Sequence, residues 1–133
     1  MSDKNALPRI LIVEDEDNIR RIATKALRKK YAVEEAADGW EAIQKTEQTY
    51  DLIILDIMMP GLSGHTAFSA LDSDYNNASI ETAQAPPTLL LTALPKSDQR
   101  VSEMLEKSNV AGYLQKPFTP SSLLQTVERI LNP

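Results

Sequence analysis

The sequence contains no cysteine, which excludes a disulfide framework and thiolate chemistry and agrees with a reducing compartment. No apolar run approaches the length needed to span a bilayer, and the start MSDKNALPR lacks the apolar core of a signal peptide. The expected location is therefore cytoplasmic, without a membrane partner. The lone histidine, His65, has no second histidine and no cysteine with which to share a metal, so it receives no role. Basic residues are missing from the middle of the chain: every lysine and arginine lies before Thr46 or after Pro95. With a net charge of -5, the surface as a whole does not suit nucleic acid, and no direct nucleic-acid partner is expected.

What is present fits one domain. The 133 residues are 42% apolar and 25% charged, enough to build a core, and the expected domain covers 1–133 with its core at about 8–131. Strand and helix patterns alternate. Arg9 to Val13 is a short apolar run, and Asp17 can cap a helix with Ile19, Ile22, Ala23, Ala26 and Leu27 on one face. Ala32 to Ala36 reads as a second strand, and Asp38 with Gly39 opens a helix through about Thr49. Leu52 to Leu55 is the third strand, followed by a helix from about Ser63 to Leu71 and a polar loop at about 72–87.

Thr88 to Leu91 is the fourth strand, with Ser97 capping a helix that carries Val101, Met104 and Leu105. Ala111 to Leu114 is the fifth. Thr119 then caps a last helix with Pro120 in its first position and a stripe of Leu123, Leu124, Val127, Ile130 and Leu131. Five strand and helix units in succession predict an α/β fold, a doubly wound parallel sheet covered on both faces, and if its order is the flavodoxin-like 2-1-3-4-5, strands one and three are neighbours.

In such sheets the ligand site lies beyond the carboxyl ends of the strands. Those ends carry Glu14 and Asp15, Asp56, and Thr92, with Lys116 after the fifth strand. Converging carboxylates repel one another unless a cation joins them, and hard oxygen ligands suit Mg²⁺. A carboxylate beside a metal and a lysine can attack phosphorus, and Asp56 is the best-placed nucleophile.

At these residues the sequence resembles the receiver domain of two-component response regulators. The matching pieces are ILIVEDE, DGWEA, DLIILDIMMPGLSG, LLLTA and GYLQKPF, in family order and covering almost the whole chain. The resemblance implies that Asp56 takes a phosphoryl group from a sensor histidine kinase or phosphotransfer protein. It implies Mg²⁺, with Mn²⁺ as a substitute, held by Asp15, Asp56, the backbone carbonyl of Met58 and, in a metal-linked role, Glu14. Thr92 and Lys116 would contact the phosphate, Tyr113 would be the switch aromatic, and the Lys116 to Pro117 peptide would be cis. The kinase would dock near the first helix, at Arg20 and Arg21, and the output would be a repacked surface of the helix after strand four, strand five and the last helix. The chain would be a signalling switch that catalyses no reaction but its own phosphorylation and dephosphorylation.

Two departures stand out. Glu14 occupies a position where aspartate is common, and the interval from Asp56 to Thr92 is about six residues longer than usual, an excess assigned to the polar loop. Other readings fare worse. A haloacid-dehalogenase-type phosphatase needs an acid two positions after its aspartate, where this chain has Met58, and a dinucleotide site would be repelled by Glu14 to Asp17. A degenerate receiver that binds partners without phosphorylation is the alternative, disfavoured because every acceptor, metal and switch position is filled. Met58 and Leu94, the second residues after Asp56 and Thr92, cannot orient an attacking water, so a long-lived phosphate is expected.

Overall fold

The computed structural model describes residues 6–45, 49–58 and 86–133. The helix expected at about 63–71 and nearly all of the long polar loop lie outside the described residues, as does His65. The described elements run β1 (Arg9–Val13), α1 (Asp17–Leu27), β2 (Ala32–Ala36), α2 (Gly39–Gln44), β3 (Leu52–Leu55), β4 (Thr88–Thr92), α3 (Gln99–Leu105), β5 (Val110–Gln115) and α4 (Pro120–Leu131).

The five strands form one parallel sheet, as the alternating pattern predicts, and its order is the flavodoxin-like β2-β1-β3-β4-β5. The inner strands carry apolar runs, over residues 10–13, 52–55 and 89–91, because both faces are covered. Successive side chains point to opposite faces, so Ile10, Ile12, Leu52, Ile54, Leu89 and Leu91 meet Ala23 and Leu27 of α1 and Leu123 and Val127 of α4. Leu11, Val13, Ile53, Leu55 and Leu90 pack the other way, against Ala42 of α2 and Val101 and Met104 of α3. Each fully buried leucine or isoleucine contributes about 2 kcal/mol of transfer free energy, which fixes the register of β1 against β3 and thereby the level at which their ends stop. A one-residue slip would turn all of these side chains to the wrong layer.

Local signals set the helix starts, with two corrections. Asp17 does not cap α1: Glu16 holds the cap position without a side-chain bond, and Asp17 lies in the first turn, where a negative charge favours the helix N-terminus. Ser97 does not cap α3 either; the neighbouring Asp98 does, its side chain accepting from the Arg100 amide. The α4 start matches its signals, with Thr119 and Ser122 exchanging bonds in a capping box and Pro120 in the first turn. On α1, Ile22 stays 45% exposed because the buried stripe centres on Ala23 and Leu27. α2 ends at Gln44 with Lys45 as its C-cap, short of the expected Thr49, which is not helical; residues 46–48 lie outside the described residues.

β5 departs from regular pairing at its entrance. Thr88 pairs with Val110 while Leu89 pairs with Gly112, so Ala111 is an extra residue, a bulge. In consequence Val110 and Tyr113 pack against one layer of the core and Leu114 against the other. Gly112 fits closely, since a Cβ there would stand 3.3 Å from Ile130 Cδ1.

Candidate functional site

The site assembles where β1, β3 and β5 reach their carboxyl ends. Glu14 continues β1, its amide donating to the Ala36 carbonyl at 3.0 Å, and the Asp56 amide donates to the Val13 carbonyl at 3.1 Å. These ladder bonds place both carboxylates at one level, and both side chains are buried. Glu14, half-buried Asp15 and Asp56 each present an oxygen within 4.8 Å of the others. Lys116 answers them from the far strand: its amide donates to the Thr92 carbonyl at 2.8 Å, and the Lys116–Pro117 peptide is cis. Its ammonium donates to Asp56 Oδ2 at 2.8 Å and forms an ion pair with Glu14 Oε1.

The second oxygen of each buried carboxylate is met locally. The Met58 amide donates to Asp56 Oδ1 at 2.9 Å, and the Glu16 amide donates to Glu14 Oε2 at 3.1 Å. Burial pushes the Glu14 carboxyl up to about 7, against the opposing pull of Lys116 and the Glu16 amide. Burial works to lower the Lys116 pKa, but its bonds to Asp56 and Glu14 outweigh that and hold the group above its ordinary value. Three carboxylates facing one ammonium leave an excess of negative charge and a set of hard oxygen donors, a combination that fits a divalent cation such as Mg²⁺.

Thr92 is fully buried at the end of β4, its hydroxyl oxygen accepting from the Leu94 amide at 3.2 Å. Tyr113 is half-buried and donates its phenolic hydrogen to the Leu94 carbonyl, with Lys96 Nζ 5.5 Å from the ring centroid. Thus the segment following Thr92 is held to β5 by Tyr113 and also by Gln115, whose amide nitrogen donates to the Ala93 carbonyl at 3.2 Å.

Arg20 and Arg21 separate in the structure. Arg20 turns inward, donating to the Glu14 carbonyl at 2.8 Å and to Glu35 at 3.2 Å while bridging Asp17; its side chain is only 17% exposed. Arg21 is exposed. Nothing in residue spacing signals that Arg20 supports the carbonyl of a site residue.

A doubly wound parallel sheet with buried acids and a lysine at its carboxyl edge defines a receiver-type signalling fold. The chain belongs to the response regulator receiver domain family, whose model matches residues 10–128. It is 36% identical over 131 residues to the transcriptional regulatory protein ResD of Bacillus subtilis, covering 97% of this chain and 50% of that protein. It is 38% identical over 125 residues to hybrid signal transduction histidine kinase D of Dictyostelium discoideum, covering 93% of this chain and 8% of that one. The chain therefore spans half or less of these two relatives. Among solved structures, the receiver domain of sensor histidine kinase PA1611 from Pseudomonas aeruginosa, with a magnesium ion in its active site cleft, matches with a TM-score of 0.77. That likeness is at 28% identity, over 96% of this chain and 100% of that one.

Proposed function

We propose that the chain is a phosphorylatable receiver in which Asp56 accepts a phosphoryl group from a phosphohistidine of a sensor histidine kinase or phosphotransfer protein. The observation that carries this reading is the Lys116 ammonium shared between Asp56 Oδ2 and Glu14 Oε1 at the sheet's carboxyl edge. A lysine so placed sits against the acceptor oxygen as its counter-ion and stands ready to move onto a phosphoryl oxygen. In the transfer, an Asp56 oxygen forms its bond to phosphorus as the phosphorus–nitrogen bond breaks and the imidazole keeps the electron pair. Thr92 would turn its hydroxyl to a second phosphoryl oxygen, giving up the Leu94 amide.

Asp15, Asp56 and the Met58 carbonyl would hold Mg²⁺ or Mn²⁺. Glu14 Oε2 accepts from the Glu16 amide, while Oε1 faces Lys116 as an ion pair without a hydrogen bond, which favours Glu14 acting through water and through Lys116. Bound there, the metal would supply positive charge to offset the negative charge on the phosphoryl oxygens. Loss of the Thr92 bond would release the Leu94 amide and loosen the segment whose carbonyl Tyr113 grips, passing the event to the surface of α3, β5 and α4, where a downstream partner or effector domain would read it. The exchange belongs in the cytoplasm.

Incubation with acetyl phosphate and Mg²⁺ tests the reading. One acid-stable, base-labile phosphate is expected, and Asp56→Asn should abolish it; undiminished labelling of that variant would refute the assignment.

A further inference from the structure

Against the Met58 side chain stands a cation that the transfer described above does not use. The Asp98 carboxylate grips Arg100 in a fork, Oδ1 accepting from Nε at 3.2 Å and Oδ2 from Nη2 at 3.1 Å. The third guanidinium nitrogen, Nη1, donates to the Met58 sulfur at 3.5 Å, a contact between residues 42 apart in sequence. Met58 is itself the residue whose amide closes on Asp56 Oδ1. A chain of contacts thus runs from Asp98 through Arg100 and Met58 to the acceptor carboxylate.

The quality of each contact differs. Two of the three guanidinium nitrogens meet a carboxylate, while the third meets a thioether, among the weakest acceptors in proteins. Met58 and the Arg100 side chain are 49% and 52% exposed, so a molecule arriving from solvent reaches Nη1 without displacing any core residue. Lys116, by contrast, is committed to two carboxylates until transfer begins.

We propose that Arg100 is a donor-binding residue: its Nη1 exchanges the Met58 sulfur for a phosphoryl oxygen of the incoming anionic phosphodonor and steers it onto Asp56. The inference rests on Asp56 being the acceptor. With acetyl phosphate, the Asp56 oxygen bonds to phosphorus, the bond from phosphorus to the acetyl oxygen breaks, and acetate leaves with the electron pair. Arg100 forms no covalent bond in the step. Asp98 acts as the fixed hand that keeps the guanidinium aimed at the mouth, and the fork geometry makes arginine better suited than lysine to the task.

The test is the second-order rate of Asp56 phosphorylation by acetyl phosphate in excess Mg²⁺, measured across a range of salt for the native chain, Arg100→Gln and Arg100→Lys. Native phosphorylation should slow with salt, and Arg100→Gln should be about fivefold slower at low salt with a flatter salt dependence. Arg100→Lys should keep the native salt slope at an intermediate rate, and Mg²⁺ affinity by calorimetry should be the same in all three. Equal rates and equal slopes for the native chain and Arg100→Gln would overturn the proposal. A native chain that takes no phosphate on Asp56 would overturn the reading of the acceptor itself, and the proposal with it.

Discussion

Lys116 Nζ lies 2.8 Å from Asp56 Oδ2, joining residues 60 apart in the chain and bringing the end of β5 to the end of β3. Because the same ammonium also pairs with Glu14, its removal leaves buried carboxylates facing one another. Lys116→Met is expected to lower stability by about 2 kcal/mol at pH 7.5, and millimolar Mg²⁺ should recover part of that loss. Urea denaturation with chelator and with Mg²⁺ checks both parts; an unchanged midpoint in chelator would contradict the role of the lysine as counter-ion.

Glu14 makes stability depend on pH in a defined direction. Its folded value, about 7, lies above the ordinary 4.5, so the native state holds a proton that the unfolded chain has released. The resulting stabilisation is complete below about 4.5 and is lost as pH rises through about 7. In chelator, the native chain should lose about 2 kcal/mol relative to Glu14→Gln between pH 4.5 and 8. Comparing urea midpoints of the two proteins cancels other titrating groups; parallel profiles would show that Glu14 does not titrate in this window.

Arg20 and Arg21 should behave differently although adjacent. Arg20→Ala removes bonds to Glu14, Glu35 and Asp17 and should cost about 1–2 kcal/mol. Exposed Arg21→Glu should change stability by about 0.5 kcal/mol or less, slow transfer from a phosphohistidine donor, and leave labelling by acetyl phosphate unchanged. Equal slowing with both donors would remove Arg21 from the docking surface.

Phosphate lifetime should respond to Met58. The side chain is exposed beside Asp56 and offers no group to hold an in-line water. Met58→Asn with Leu94→Glu should hasten phosphate loss about tenfold, roughly 1.4 kcal/mol of barrier. Because Leu94 packs against the core, the single Met58→Asn variant should also be measured; lifetimes equal to the native one in both variants would show that these side chains do not govern water access.

The apolar runs of β1, β3 and β4 made the sheet legible, since strands covered on both faces leave little choice of partner or register. Strand-end residues Glu14, Asp56 and Thr92 were legible for the same reason: the end of an apolar run marks the edge of the layer. Helix starts were off by one residue where two cap-competent or acidic residues adjoin, as at Glu16 with Asp17 and Ser97 with Asp98. Arg20 reads in sequence as one of a crowd of surface cations, and its inward turn depends on Glu35 and on the Glu14 carbonyl. The contact of Arg100 with Met58 has no sequence signal at all, because it joins two loop-proximal residues through the packing of α3 on the sheet.

The bulge at Ala111 divides β5 into a forgiving entrance and an exacting exit. An exposed residue that the ladder skips can be lost without moving Gly112 from Leu89 or Gln115 from Thr92. A residue gained beyond Gly112 has no such refuge: it would invert the parity that aims Tyr113 at Leu94 and carry Lys116 a step past Asp56. Insertions and deletions accepted by this strand should therefore fall before Gly112, and among length variants made across β5, survival of the lysine-to-aspartate contact should track that boundary.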